Sequence, residues 1–274
     1  MTRELERRRR GRPKGFHESS VGPIRSIERA FDVLEVLASS DGVTLSELSE
    51  RLGQSVTTMH RVLSTLERRR YAEHVIDCQE WHVGSQAFRL GSSFLRRNDV
   101  VEQSRPDMRE LMLATGETSN LGIERQGDVL FVSQIETHES IRAFFPPGTL
   151  SPLHASGIGK ALLSAFDAQR LARFLHTTEL TCFTETTITS RDKLVDEVRQ
   201  IQGRGYALDN EERSLGMRCV AACVTDMYDE VVAGISVSGP VSRLPLAAIP
   251  EIGMLVKQAA QRISEKMGAS QFDK

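Results

Sequence analysis

From Ser26 the apolar residues Ile27, Ala30, Phe31, Leu34 and Leu37/Ala38 recur every three or four positions, which predicts an amphipathic helix. Asp41-Gly42 ends it with a turn. Thr44-Leu45-Ser46-Glu47 then reads as a capping box, the hydroxyl and the carboxylate satisfying each other's free amides, ahead of a short helix with Leu45, Leu48 and Leu52 that stops at Gly53. Ser55 is placed to cap a third helix whose stripe is Val56, Met59, Val62/Leu63 and Leu66. After Arg68-Arg69-Arg70 the period falls to two. Tyr71–Val75 and Trp81–Gly84 predict two strands around a turn at Asp77-Cys78-Gln79, a wing behind three helices.

The helical period continues through Ala87–Leu95, and the span 86–104 is expected to be a linker helix, pairing two chains through Phe88, Leu90, Phe94 and Leu95 or serving as a plain connector. A helix with Met108, Leu111 and Met112 leads to Gly116. Three strand-like runs follow, Ser119–Glu124, Asp128–Ile135 and Ile141–Phe145, and their short spacing favours antiparallel pairing. Helices are expected at Ile158–Phe166, Ala168–His176, Lys193–Arg204 and Ala247–Met267, with strands at Tyr206–Asp209, Cys219–Asp226 and Val231–Ser238. Hairpins with helices on one face give an α+β fold, not a doubly wound parallel sheet.

A chain of 274 residues is comfortable for two cores. The expected organisation is an arm at 1–22, a winged helix-turn-helix at 23–85, the linker at 86–104 and a larger domain at 105–270. No apolar run approaches the about 18 residues of a membrane span, and the N-terminus lacks the apolar segment of a secretory signal, so a cytoplasmic location is expected. Cys78, Cys182, Cys219 and Cys223 show no Cys-x-x-Cys spacing and are read as reduced thiols, with neither a metal nor a cofactor expected.

Charge changes the picture. Residues 1–70 carry 14 Lys/Arg against 10 Asp/Glu, whereas the remainder carries 21 against 27, so the first part suits a polyanion. RRRRGRPKG at 7–15 has no face to bury and predicts a disordered arm, its Arg10 and Arg12 placed either to enter an A·T-rich minor groove or to hold phosphates alone. Outward-facing Thr57, Thr58, His60, Arg61 and Ser64 cluster where a recognition helix enters the major groove of double-stranded DNA. The alternative is a packing module without DNA.

LHASGIGK at 153–160 looks at first like a phosphate loop, but its upstream glycine is replaced by His154 and the magnesium-binding hydroxyl by Ala161. What remains is a helix start capped by Ser156, where the amides of Gly157 and Ile158 can meet a small anion, or where the glycines merely permit close packing. In Gly234–Pro240 the period of two puts Ser236 and Ser238 on one sheet face, and Asp209 and Cys219 on nearby strands can join them. Such a set suits a small oxo-acid. The rival readings are a hydrolase acting on 2-oxo acids through His154, Ser156 or Cys219 with Asp209, and an interaction module without ligand. Neither a nucleophile elbow nor paired histidines supports the enzyme.

Along nearly its whole length the chain resembles the IclR family of bacterial transcription regulators: the RGRP-type arm, Thr57–Leu63, Gly116-Glu117-Thr118, LHASGIGKALL, GYALDNEE (205–212), LGMRCVAAC (215–223) and ISVSGPVSR (235–243). The resemblance is closest to the branch governing glyoxylate, allantoin or β-hydroxyaspartate metabolism. It implies a winged helix-turn-helix, a linker helix and a GAF-like effector domain, assembled as a homodimer or a dimer of dimers on operator DNA. It also implies that Gly157 and Ile158 hold the effector's carboxylate while Asp209, Cys219, Ser236 and Ser238 hold the rest, with glyoxylate the expected ligand. The apolar patch of glyoxylate-responsive relatives falls on Ser140, Ala143 and Ser151, a departure that leaves room for a larger 2-oxo acid.

Overall fold

A computed structural model describes residues 23–95 and 99–269, and the chain divides after Ser93 into two compact units. Arg10 and Arg12 lie outside the described residues.

The first unit comprises α1 (Arg25–Ala38), β1 (Val43–Thr44), α2 (Leu45–Arg51), α3 (Val56–Arg68), β2 (Ala72–Val75) and β3 (Glu80–Val83), followed by α4 (Ser85–Leu95). The capping box forms as expected: Thr44 accepts from the Glu47 amide, and the Glu47 carboxylate accepts from the Thr44 amide at 2.9 Å. Strand β3 lies between β1 and β2, both antiparallel to it, so Val43 adds a rung to the wing that the hairpin alone did not suggest. Val33, Leu37, Leu48, Met59, Leu63, Ala72 and Trp81 close the core. The stripe expected on α1 is rotated. Val33 and Leu37 are buried, while Ile27 and Phe31 are half exposed or more, because the core meets the 33–37 edge of a broad apolar face.

In the second unit α5 (Asp99–Thr115) leads into β4 (Thr118–Arg125) and β5 (Asp128–Ile135), then β6 (Leu150–Pro152). The span expected as one linker, 86–104, takes in most of α4 and the start of α5. Next come α6 (Gly157–Ser164), α7 (Ala168–Thr177), α8 (Arg191–Arg204), β7 (Ala207–Asn210), β8 (Met217–Thr225), β9 (Val231–Pro240) and α9 (Ile249–Lys266). They build one six-stranded sheet, β6-β5-β4-β9-β8-β7, antiparallel at every pairing.

Two expectations are corrected here. Ile141–Phe145 is not a strand; the edge position belongs to β6, which pairs with β5. Pro146 and Pro147 cannot feed a ladder, and Phe145 instead stacks on Phe131, ring centroids 4.9 Å apart. Helices also cover both sheet faces, not one. In β8, Val220, Ala222 and Val224 join Ile235, Val237, Leu121 and Ile123 against α5 and α9, whereas Ala221 faces α6 and α8 with Val129, Phe131, Ile158 and Val198. Alternation puts apolar residues on both sides of that strand, so both sides need cover.

Candidate functional site

At the start of α3 the Ser55 hydroxyl accepts from the Thr58 amide at 3.2 Å and lies 2.8 Å from the Thr58 hydroxyl. Thr58 is therefore engaged in the cap and half-buried, while Thr57, His60 and Arg61 stand exposed. The polar set divides around the helix. Thr58 and Arg61 border a groove shared with Ser26 and Arg29 of α1; His60 and Ser64 border one shared with His74 and Trp81 of the wing. Thr57, at the exposed first turn, belongs to neither.

The second site grows from strand register. Asp209, Cys219, Ser238 and Thr118 sit opposite one another on β7, β8, β9 and β4, and the next row is Ala207, Ala221, Ser236 and Asn120. One face of the sheet thus carries a line of short polar groups. The start of α6 lies over this line: a Cβ on Gly157 would fall 2.6 Å from the Cys219 sulfur, and one on Gly159 would fall 2.3 Å from the Leu153 carbonyl. The bare Gly157 permits the approach to the sheet, and the bare Gly159 lets the helix start fold back on Leu153. Ser156 caps the helix by accepting from the Gly159 amide at 3.2 Å. The Ile158 side chain is fully buried against the bare backbone of Gly234 and Gly122, so only its amide faces the ligand question.

The Ser238 hydroxyl accepts from Asn120 Nδ2 at 3.2 Å, and Asn120 Oδ1 accepts from Gln134 at 2.8 Å. Ser236 Oγ, fully buried, is left without a well-formed hydrogen bond among the described residues. Burial and then the Asp209 charge push the Cys219 thiol up to about 11, against the opposing pull of Ser238, Ser236 and the Gly157 amide. Burial and then the neighbouring Glu212 raise the Asp209 carboxyl to about 7, with Lys160 opposing. Beneath it Lys160 is fully buried and donates to Glu212 Oε1 and to the Leu208 carbonyl, each at 2.5 Å, with Glu197 3.6 Å away.

A cavity of about 220 Å³ opens in front of Cys219, bordered by Asp209 and Ser238 on the sheet and by Ala143, Phe145 and Met217. Arg142, Arg213 and Arg218 also reach it, a group the sequence reading missed, with Arg142 paired to Glu136 at 2.8 Å and Arg218 3.9 Å from Glu211. Arginine on a loop, as Arg142 and Arg213 are, or at the start of a strand, as Arg218 is, reads as solvated, and nothing in its local pattern announces a cavity. Asn120 was missed for a similar reason, as the third of three polar residues, Thr118-Ser119-Asn120, that open β4. Asp209, Cys219 and Ser238 line the space directly, while Gly157, Ile158 and Ser236 are not among its lining. Of the three positions matched to the apolar patch of relatives, Ala143 lines it; Ser140 is exposed elsewhere and Ser151 pairs with Val129 at the sheet edge. A larger concavity of about 650 Å³ near Phe166 and Asp229 contains none of these groups, and its Arg170 is paired with Glu124 at 3.0 Å.

The hydrolase constellation does not assemble. His154 Nε2 is tied to the Thr181 carbonyl at 3.0 Å, Ser156 is spent on the helix cap, and the Cys219 thiol keeps its proton. The family model described as the C-terminal domain of the bacterial transcriptional regulator IclR matches residues 92–265, and that of the IclR helix-turn-helix domain matches residues 26–75. The chain belongs to the IclR family. The HTH-type transcriptional regulator BhcR of Paracoccus denitrificans is 51% identical over 261 residues, 94% of each chain. The transcriptional repressor IclR of Escherichia coli is 34% identical over 98% of this chain and 99% of its own. The crystal structure of the Thermotoga maritima IclR superposes with a TM-score of 0.77 at 28% identity, covering 89% of this chain and 99% of that one. As an IclR-family member the chain is a transcription regulator and not an enzyme. Among the described residues no helix is long and apolar enough to cross a membrane.

Proposed function

We propose that this regulator senses a small 2-oxo acid, glyoxylate first among them, and in response changes its hold on operator DNA upstream of carbon-assimilation genes in the cytoplasm. The observation that carries the reading is the polar row Asp209, Cys219 and Ser238 bordering a small cavity that arginines also line, with the capped start of α6 packed against Cys219. At about 220 Å³ the space is smaller than the about 300–1,000 Å³ of drug-sized sites and suits a ligand of few atoms. The carboxylate meets the Gly157 and Ile158 amides and the arginines; a protonated Asp209, Ser236 and Ser238 serve the carbonyl or its hydrate. Cys219 stands between the cavity and those amides, so its side chain turns aside as the acid enters.

In the same reading Thr57, Thr58, His60 and Arg61 read bases, Arg10 and Arg12 hold the flanking duplex, and the linker span 86–104 pairs two chains over two half-sites, with a dimer of dimers as the larger assembly. Phe88 and Leu90, both well exposed on α4, support that pairing. The working boundaries are 1–22 for the arm, 23–85 for the winged helix and 105–270 for the sensor. Isothermal titration of glyoxylate tests the core of the proposal: the double change Ser236→Ala/Ser238→Ala is expected to abolish the heat of binding, and a wild-type isotherm would sink the pocket.

A further inference from the structure

Away from the effector cavity, the wing brings together three side chains of metal-binding type. Cys78 sits in the turn between β2 and β3, and Glu80 and His82 follow on β3. Their ligand atoms all lie within 4.8 Å of one another, and Glu80 Oε2 is 3.7 Å from His82 Nε2. Alternation along the strand puts Glu80 and His82 on one face while Trp81, between them, turns into the core at 6% exposure. Gln79, at φ 57°, bends the chain so that the thiol comes back over that face. Gly42, at φ 127°, makes the room: a Cβ there would stand 2.6 Å from Glu80 Oε2 and 2.8 Å from the His82 ring.

We propose that this wing binds one divalent cation of the zinc class through Cys78 Sγ, a Glu80 carboxylate oxygen and His82 Nε2. Zinc–ligand bonds of about 2.0–2.3 Å imply ligand separations of about 3.3–3.6 Å in a tetrahedron, so no pair of the trio needs to close by more than about 1.5 Å. Thiolate, imidazole and carboxylate form a borderline-soft set that favours zinc over magnesium or calcium. Binding sends the thiol proton to solvent. The ion then carries one thiolate, one carboxylate and a neutral imidazole, leaving a fourth position for water. The Cys-x-Glu-x-His spacing matches no common zinc motif, and only the turn at Gln79 makes it a cluster.

The chain's single tryptophan is the residue between two of the ligands, which gives the test its readout. Tag-free full-length protein in a thiol-free reductant is titrated with cobalt(II), then with zinc. The expected result is a thiolate-to-cobalt charge-transfer band saturating at one equivalent, loss of that band on adding zinc, and a change in Trp81 fluorescence with the same midpoint. Cys78→Ser and His82→Ala are each expected to abolish the band and weaken zinc binding by about tenfold or more, since even outer-shell partners are worth that much. Cys182→Ser, an exposed cysteine of the other unit, is expected to change nothing. Absence of the band at one equivalent, its survival in Cys78→Ser, or a Trp81 signal indifferent to zinc overturns the proposal.

Discussion

Asp209 is held protonated up to about pH 7 by burial and by Glu212, whereas its unfolded value is 3.8. Between those two values the folded chain binds more protons than the unfolded one. The stability linked to this group is therefore greatest below about pH 4 and declines as pH rises toward 7. In the proposed reading the same proton serves the ligand: once Asp209 ionises, the cavity it borders gains a negative charge that an incoming carboxylate would meet. Glyoxylate affinity is expected to fall as pH rises through 7, and Asp209→Asn to flatten that profile; calorimetry at several pH values checks both. On the DNA side Arg61 is exposed and borders the α1 groove, free to reach a base edge or a phosphate. Arg61→Ala is expected to cost about 1–3 kcal/mol in operator binding and to leave the glyoxylate isotherm untouched; an unchanged gel-shift affinity counts against its role. Residues of this kind were legible when a local rule selected them, as periodicity did for Ser236 and Ser238. Arg213 and Arg218 reach the cavity, and Asn120 reaches Ser238 at its border, only through strand pairing and loop placement, which no local pattern carries.

The elements were most legible where their ends are chemically marked. Thr44 with Glu47, and Ser55 with Thr58, cap α2 and α3 as expected from the sequence. Ser55→Ala is expected to destabilise the first unit by about 1 kcal/mol, seen as a lowered melting midpoint. The misreadings share one cause, that an apolar run says it will be covered but not by what. Ile141–Phe145 looks like a strand, yet it lies as a loop, held where Arg243 donates both to the buried Glu117 and to the Ile141 carbonyl. That pair fixes the segment carrying Ala143 and Phe145, two walls of the cavity. The rotated face of α1 is the same lesson in a helix: its apolar arc is wider than its contact, and only the neighbours decide which edge is buried.

Two cores in one chain mean two cooperative units, and a ligand that binds only the folded sensor stabilises that unit alone. At a hundred times its dissociation constant glyoxylate adds about 2.7 kcal/mol. Differential scanning calorimetry is expected to show two transitions, with glyoxylate raising only that of residues 94–274; a shift in both, or in neither, contradicts a ligand confined to the sensor. The sheet of that unit has a further consequence. Ser236 and Ser238 face the α6 side, while Val237, the residue between them, is packed in the core formed with α5 and α9. Floor of one chamber and ceiling of the other are thus the same backbone, one strand thick. If the acid binds as proposed, its push on that strand is expected to cross the partition through the backbone itself and to reach the core that α5, the helix by which the chain enters the sensor, helps to form.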